Sequence, residues 1–173
     1  MALEQHHKII QVVGYQNSGK TTLMEQLIRQ ATAEGLKVGT IKHHGHGGIP
    51  MNDSKDSVRH EKAGARIAAV EGDGTLRMSI HRSNWQLDEI LAIYASFKMD
   101  IILIEGYKNE HYPKVVLLRT IEDQVLLQKV SNISCVIYWP TYPLDKSLDY
   151  PTFSIHDKAQ YMEFLMAEMR GKI

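Results

Sequence analysis

The chain of 173 residues carries 20 Lys+Arg against 20 Asp+Glu, so its formal net charge is zero. That balance excludes a protein that holds nucleic acid or an anionic membrane by bulk charge, and 43% hydrophobic with 23% charged residues excludes a disordered one. The single cysteine, Cys135, allows neither an internal disulfide nor a cysteine-based zinc site, and no apolar run approaches the roughly 18 residues that cross a bilayer. The expectation is one domain over residues 1–173, soluble, unexported and cytoplasmic.

Residues His7 to Val13 form a compact, β-branched apolar run closed by Gly14, the pattern of a strand buried on both faces. Met24, Leu27, Ile28 and Ala31 then fall at i, i+3, i+4 and i+7, which predicts a helix over Lys20 to Glu34 with Gly35 placed to end it. Leu36 to Lys42 reads as a second strand, and the Gly- and His-rich stretch from His43 to Lys55 reads as a loop. Asp56 and Ser57 can cap a short helix through Ala63, after which Arg66 to Val70 and Thr75 to His81 flank Gly72-Asp73-Gly74 as a hairpin.

Leu87, Ile90, Leu91 and Tyr94 sit at helical spacing behind the cap candidates Ser83 and Asn84. Ile101 to Ile104 is a buried strand ending in Glu105-Gly106, and Val115 to Leu118 and Ile133 to Tyr138 are further strands, with Ile121 to Val130 ambiguous. The segment Trp139 to Pro151 reads as a loop, and Met162, Leu165, Met166 and Met169 give a final helix its apolar stripe. Strands alternating with helices imply an α/β three-layer sandwich, a mainly parallel sheet with helices on both faces plus the added hairpin. Ligands of such sheets bind at the carboxyl ends of the strands, which gathers segments 14–21, 43–56, 106–112 and 139–151 on one edge.

Gly14-Tyr15-Gln16-Asn17-Ser18-Gly19-Lys20-Thr21 fits the pattern G-x-x-x-x-G-K-[ST], directly after an apolar strand and opening a helix. Glycines let backbone N–H groups converge on phosphate oxygens, the helix N-terminus adds partial positive charge, Lys20 reaches the β/γ-phosphates and the Thr21 hydroxyl ligates Mg²⁺. A bare glycine turn has no need of Lys and Thr at those places. Metal and triphosphate also call for a carboxylate at the end of a neighbouring buried strand, and Glu105 occupies it, with Asp53 and Asp56 as second choices. Asp100, at the start of the same strand, belongs to the opposite edge and reads as structural.

Joined to Thr40-Ile41-Lys42-His43, to Lys55-Asp56-Ser57 followed by Ala63-Gly64-Ala65, and to Ile104-Glu105-Gly106-Tyr107-Lys108, this loop makes the chain resemble the MobB family of molybdopterin-guanine dinucleotide biosynthesis adaptor proteins. The resemblance covers residues 9 to 108. It implies a P-loop GTP-binding protein of the broad class of dethiobiotin synthetase and the signal-recognition GTPases, a homodimer that works beside the guanylyltransferase MobA, which attaches GMP to molybdopterin. Gly14, Gly19, Lys20, Thr21 and Thr22 match the nucleotide-phosphate site, with Asn17 and Ser18 in the same loop. Glu105 matches the second metal-site motif, and Lys42, His43, Asp56 and Ser57 match family motifs of less defined role.

The sequence holds no [NT]-K-x-D string of the kind that reads guanine, so the preference for GTP rests on the resemblance, with Asp145 or Asp149 as substitutes. His43, His44, His46 and His60 fit no standard zinc spacing; beside Lys42 they read as an anion-binding loop for phosphate or the pterin phosphate in preference to a metal site. Lys108 is an anion-contact candidate, whereas Arg59, Lys62 and Arg66 suit a partner contact or a solvated helix face equally. Cys135 and the late methionines read as packing, and the hairpin's exposed edge as a dimerisation candidate. The favoured function is a GTP-binding adaptor with at most slow hydrolysis and GTP and Mg²⁺ as cofactors; the alternatives are an ATP-dependent small-molecule kinase or ligase, and a scaffold in which Lys20 is dispensable.

Overall fold

A computed structural model describes residues 8–44, 55–141, 144 and 148–171. These divide into two compact units, a discontinuous one within 1–45 and 93–173 and a second within 46–92. The first is built on six parallel strands in the order β2-β5-β1-β6-β7-β8, where β1 is Lys8–Gly14, β2 Val38–Lys42, β5 Ile101–Glu105, β6 Lys114–Leu118, β7 Ile133–Tyr138 and β8 Thr152–Ser154. Glu105 pairs with Val12 on one side and Lys42 on the other, so β2 and β5 end together while β1 runs two residues further, into Gly14.

Alternation along the strands sends Ile10, Val12, Leu103, Leu117 and Ile137 to one face, where they pack against Leu23 and Leu27 of α1 (Lys20–Ala33) and Leu165, Met166 and Met169 of α4 (Lys158–Arg170). Val13, Val116, Leu118 and Val136 point to the other face and pack on Leu126 of a 3₁₀ helix, Ile121–Gln128. This helix resolves the ambiguous segment: Thr120 caps it and Asp123 returns the bond, a capping box that fixes its start. Cys135 is buried, and desolvation pushes its thiol far above the usual range, as for a packing residue.

The link from β5 to β6 crosses β1 in residues 106–113, without a helix. Its carbonyls are satisfied instead by two fully buried side chains, Gln11 and Lys114. Gln11 Nε2 donates to the Gly106 and Tyr107 carbonyls at 3.0 and 2.8 Å, and Lys114 Nζ donates to the Glu110 carbonyl and, at 2.9 Å, to that of Tyr112. Asn132 Nδ2 takes the His111 carbonyl at 2.8 Å. Burial lowers the Lys114 pKa, opposed by the nearby Glu110 carboxylate.

Three expectations are corrected. The second-unit helix α2 spans Lys55–Lys62, so Asp56 and Ser57 lie inside it and not at the cap position before it. The hairpin strands are β3 (Ile67–Gly72) and β4 (Thr75–Ile80), and Gly72 pairs with Thr75. The turn is therefore the two residues Asp73 and Gly74, both at positive φ as a type I′ turn requires. Helix α3 (Leu87–Tyr94) starts well after Ser83 and Asn84; Glu89 instead accepts the Gln86 N–H at 3.1 Å. The last strand, β8, directly follows the segment 139–151 and was not anticipated, because three residues are too few for a periodic pattern.

Replacing Lys114 with Met keeps the volume but takes the donor from two part-buried carbonyls, so Lys114→Met is expected to lower stability by about 1–3 kcal/mol. The check is the denaturation midpoint at unchanged slope; an unshifted midpoint contradicts the account.

Candidate functional site

The edge formed by the carboxyl ends of β5, β1, β6 and β7 carries the glycine-rich loop 14–21. Gly14 must lack a side chain: a Cβ there would lie 2.5 Å from Ser18 Oγ and 2.8 Å from the Leu117 carbonyl oxygen. Asn17 and Gly19 take positive φ as the chain curls back, and α1 starts at Lys20 without a side-chain cap, leaving its first N–H groups directed at the loop's concavity. Ser18 is buried and its Oγ has no hydrogen-bond partner among the described residues, a donor the protein itself does not use.

Lys20 Nζ donates to the Tyr15 carbonyl at 2.6 Å, folded over its own loop. Burial lowers its pKa, partly offset by attraction to Glu105, with Lys42 adding a smaller lowering. Glu105 is 7% exposed. Thr21 Oγ1 lies 3.3 and 3.2 Å from its two carboxylate oxygens, and Lys42 Nζ lies 3.2 Å from Oε1. The sequence-predicted residues Lys20, Thr21, Lys42 and Glu105 thus meet at one place.

Others come to its border. The His43 N–H donates to the Glu105 carbonyl at 2.9 Å and its ring lies 4.4 Å from that of Tyr107. Gly106, at φ +95°, leaves room for this approach, since a Cβ would stand 3.0 Å from His43 Cβ. Lys108 Nζ lies 5.5 Å from the Tyr15 ring centroid, on the rim of the loop. Thr22 is exposed on the first turn of α1. Asp100 accepts the Lys37 N–H at 2.7 Å at the opposite edge. Asp149 is exposed, whereas Asp53, Asp145, His46 and the side chain of Asp56 lie outside the described residues. Arg59, His60, Lys62 and Arg66 are exposed in the second unit.

Two residues at this edge escaped the sequence reading. Arg119, just after β6, donates from Nη1 to the Asn17 carbonyl at 2.8 Å, and its guanidinium lies 5.6 Å from the Trp139 ring centroid. Trp139 Nε1 lies 3.5 Å from the Ser18 carbonyl oxygen. No local motif marks either; only the adjacency of β1, β6 and β7 brings them to the loop.

A parallel sheet whose first strand runs through a glycine loop into a helix, with Lys and Thr opening that helix and a carboxylate on the neighbouring strand, is a P-loop NTPase-like fold, the class built around nucleotide phosphates. More particularly, the chain belongs to the MobB family, described as "Molybdopterin guanine dinucleotide synthesis protein B", which it matches over residues 9–139. It is 40% identical to the "Probable molybdopterin-guanine dinucleotide biosynthesis adapter protein" of Bacillus subtilis across 99% of both chains. Among solved structures it is similar to a MobB protein homolog from Bacillus stearothermophilus, at 45% identity and a TM-score of 0.78 over 94% of this chain and 98% of that one. It is also similar to Bacillus subtilis MobB, at 36% identity and 0.81 over 93% and 97%. The resemblance read from the sequence motifs is borne out.

Only the protonated form of Lys20 attracts phosphate, and its lowered pKa means that it loses its proton below the ordinary lysine range. Triphosphate affinity is therefore expected to hold at neutral pH and to fall as alkaline pH rises through that lowered value, with Lys20→Ala abolishing the fall. Calorimetric titrations across the alkaline range check it; a profile identical in both proteins contradicts it.

Proposed function

We propose that the chain binds GTP with Mg²⁺ at the loop 14–21 and acts, as its relatives' names describe for them, as an adapter in molybdopterin-guanine dinucleotide biosynthesis. The observation that carries this reading is the convergence of Lys20, Thr21, Lys42 and Glu105 beside a loop whose Ser18 hydroxyl is unsatisfied. Among the described residues no three His, Cys, Asp or Glu side chains converge as a metal cage. One hydroxyl and one carboxylate suit Mg²⁺, which keeps its waters and takes its remaining oxygens from substrate phosphates. When bound, the ion neutralises charge between the terminal phosphates, held by Thr21 and by Glu105 directly or through water.

The protein's own residues do the rest. Lys20 exchanges the Tyr15 carbonyl for phosphate oxygens, and the loop amides with Asn17, Ser18, Gly19 and Thr22 line the phosphate chain. Lys42 balances Glu105, and His43 and Lys108 stand at the rim toward an anionic second ligand, molybdopterin. Hydrolysis needs a group that orients water and a cation free for the transition state. Lys42 is already paired with Glu105, so turnover is slow and the bound nucleotide is kept for the partner, the guanylyltransferase MobA.

A homodimer fits the hairpin. Paired residues Ile67 and Ile80, and Ala69 and Met78, share a face with Leu76, and Ile67, Leu76 and Met78 are 59, 54 and 51% exposed. The setting is the cytoplasm; no helix among the described residues is long and apolar enough to cross a membrane.

The test is calorimetry of GTP against ATP, with and without Mg²⁺. GTP is expected to bind more tightly than ATP and to need the ion, and Lys20→Ala to weaken it about ten- to hundredfold, the span of a hydrogen bond to a charged group. Unchanged affinity in Lys20→Ala overturns the reading.

A further inference from the structure

The groups suited to metal and terminal phosphate, Glu105, Thr21 and Lys42, lie on the β5/β2 side of β1. A triphosphate is a linear chain, so its nucleoside must leave the loop in the other direction, toward the carboxyl ends of β6 and β7. What stands there is the Arg119–Trp139 pair. Arg119 is tied to the Asn17 carbonyl at 2.8 Å, its guanidinium 5.6 Å from the Trp139 ring centroid, and the indole N–H lies 3.5 Å from the Ser18 carbonyl. The backbone beneath is fixed as well, since the Trp139 N–H donates to the Leu118 carbonyl at 2.9 Å and Asp123 Oδ2 accepts the Arg119 and Thr120 N–H groups at 2.7 and 3.1 Å. Despite these anchors Arg119 is exposed and Trp139 only partly buried.

We propose that the Arg119–Trp139 pair is the platform on which the purine base of the bound nucleotide stacks. The inference rests on the phosphate-site reading above and adds to it the residues that distinguish a nucleotide from a bare phosphate chain. An indole stiffened by a guanidinium presents a flat, polarisable surface that any base can cover and that a purine covers best. Stacking of this kind needs no hydrogen-bonding string, consistent with the lack of [NT]-K-x-D in the sequence. The pair therefore selects purine nucleotides over inorganic triphosphate.

The chain has two tryptophans, Trp85 and Trp139, so Trp85→Phe leaves Trp139 as the single reporter. In that background GTP is expected to quench the emission and Mg²⁺-tripolyphosphate to leave it nearly unchanged. Trp139→Leu is expected to weaken GTP binding about tenfold while tripolyphosphate affinity stays within about twofold, and Trp139→Phe, which keeps the stack but not the indole N–H, to restore most of the loss. Equal losses for both ligands would make Trp139 a prop for the loop and overturn the proposal, as would no loss for either, or emission changing alike with both. Should Trp139→Leu not fold, the emission comparison decides. Failure of tripolyphosphate to bind the unmodified protein would overturn the phosphate-site reading itself.

Discussion

A carboxylate left with so little water around it must be compensated, and at the end of β5 Glu105 is compensated from both sides: by the Lys42 ammonium at the end of β2 and by the Thr21 hydroxyl at the start of the helix that follows β1. Three parallel strands and one helix are brought to a common point by this side chain. Burial of a charge is expensive unless partners are held in place, and here the sheet register holds them. The same register delivers the glycine loop beside the carboxylate, so the phosphate cradle and its acidic group are products of one packing arrangement.

Around that point the protein keeps a store of groups that a phosphate chain can use. Lys20 sits on a carbonyl of its own loop, Ser18 Oγ has no partner among the described residues, and the first amides of α1 lack a side-chain cap. Each is satisfied poorly or only provisionally without a ligand, which is how a preorganised anion site differs from an ordinary strand-to-helix turn. Gly14 makes the arrangement sterically feasible, because any side chain there would meet Ser18 and the β6 backbone.

How much of this could be read in the sequence depends on how local each signal is. The loop 14–21, the run 101–105 and the helical spacing of α1 are contiguous patterns that emerged at nearly the expected bounds, and the apolar stripe of the final helix is the buried face of α4. Glu105 was nameable because it closes an apolar strand, and Lys42 because it falls in the motif Thr40-Ile41-Lys42-His43 that carries the family resemblance. Arg119 and Trp139 were not, since nothing near them in the chain distinguishes them from a solvated arginine and a packing aromatic. Gln11 and Lys114 were equally opaque: a polar residue inside an apolar strand makes sense only once a helix-free crossover is seen to pass over it with carbonyls that need donors. Strand β8 fell below the length at which alternation can be detected.

The central claim is that the carboxyl edge of the sheet grips a nucleoside triphosphate through the loop amides, Lys20 and a divalent ion shared with Thr21 and Glu105. A crystal structure grown with a non-hydrolysable GTP analogue and Mg²⁺ tests it most directly. The account expects Lys20 Nζ to have left the Tyr15 carbonyl for phosphate oxygens, with the ion beside Thr21 Oγ1. Lys20 still on Tyr15, with the analogue elsewhere or absent at saturating concentration, would contradict it.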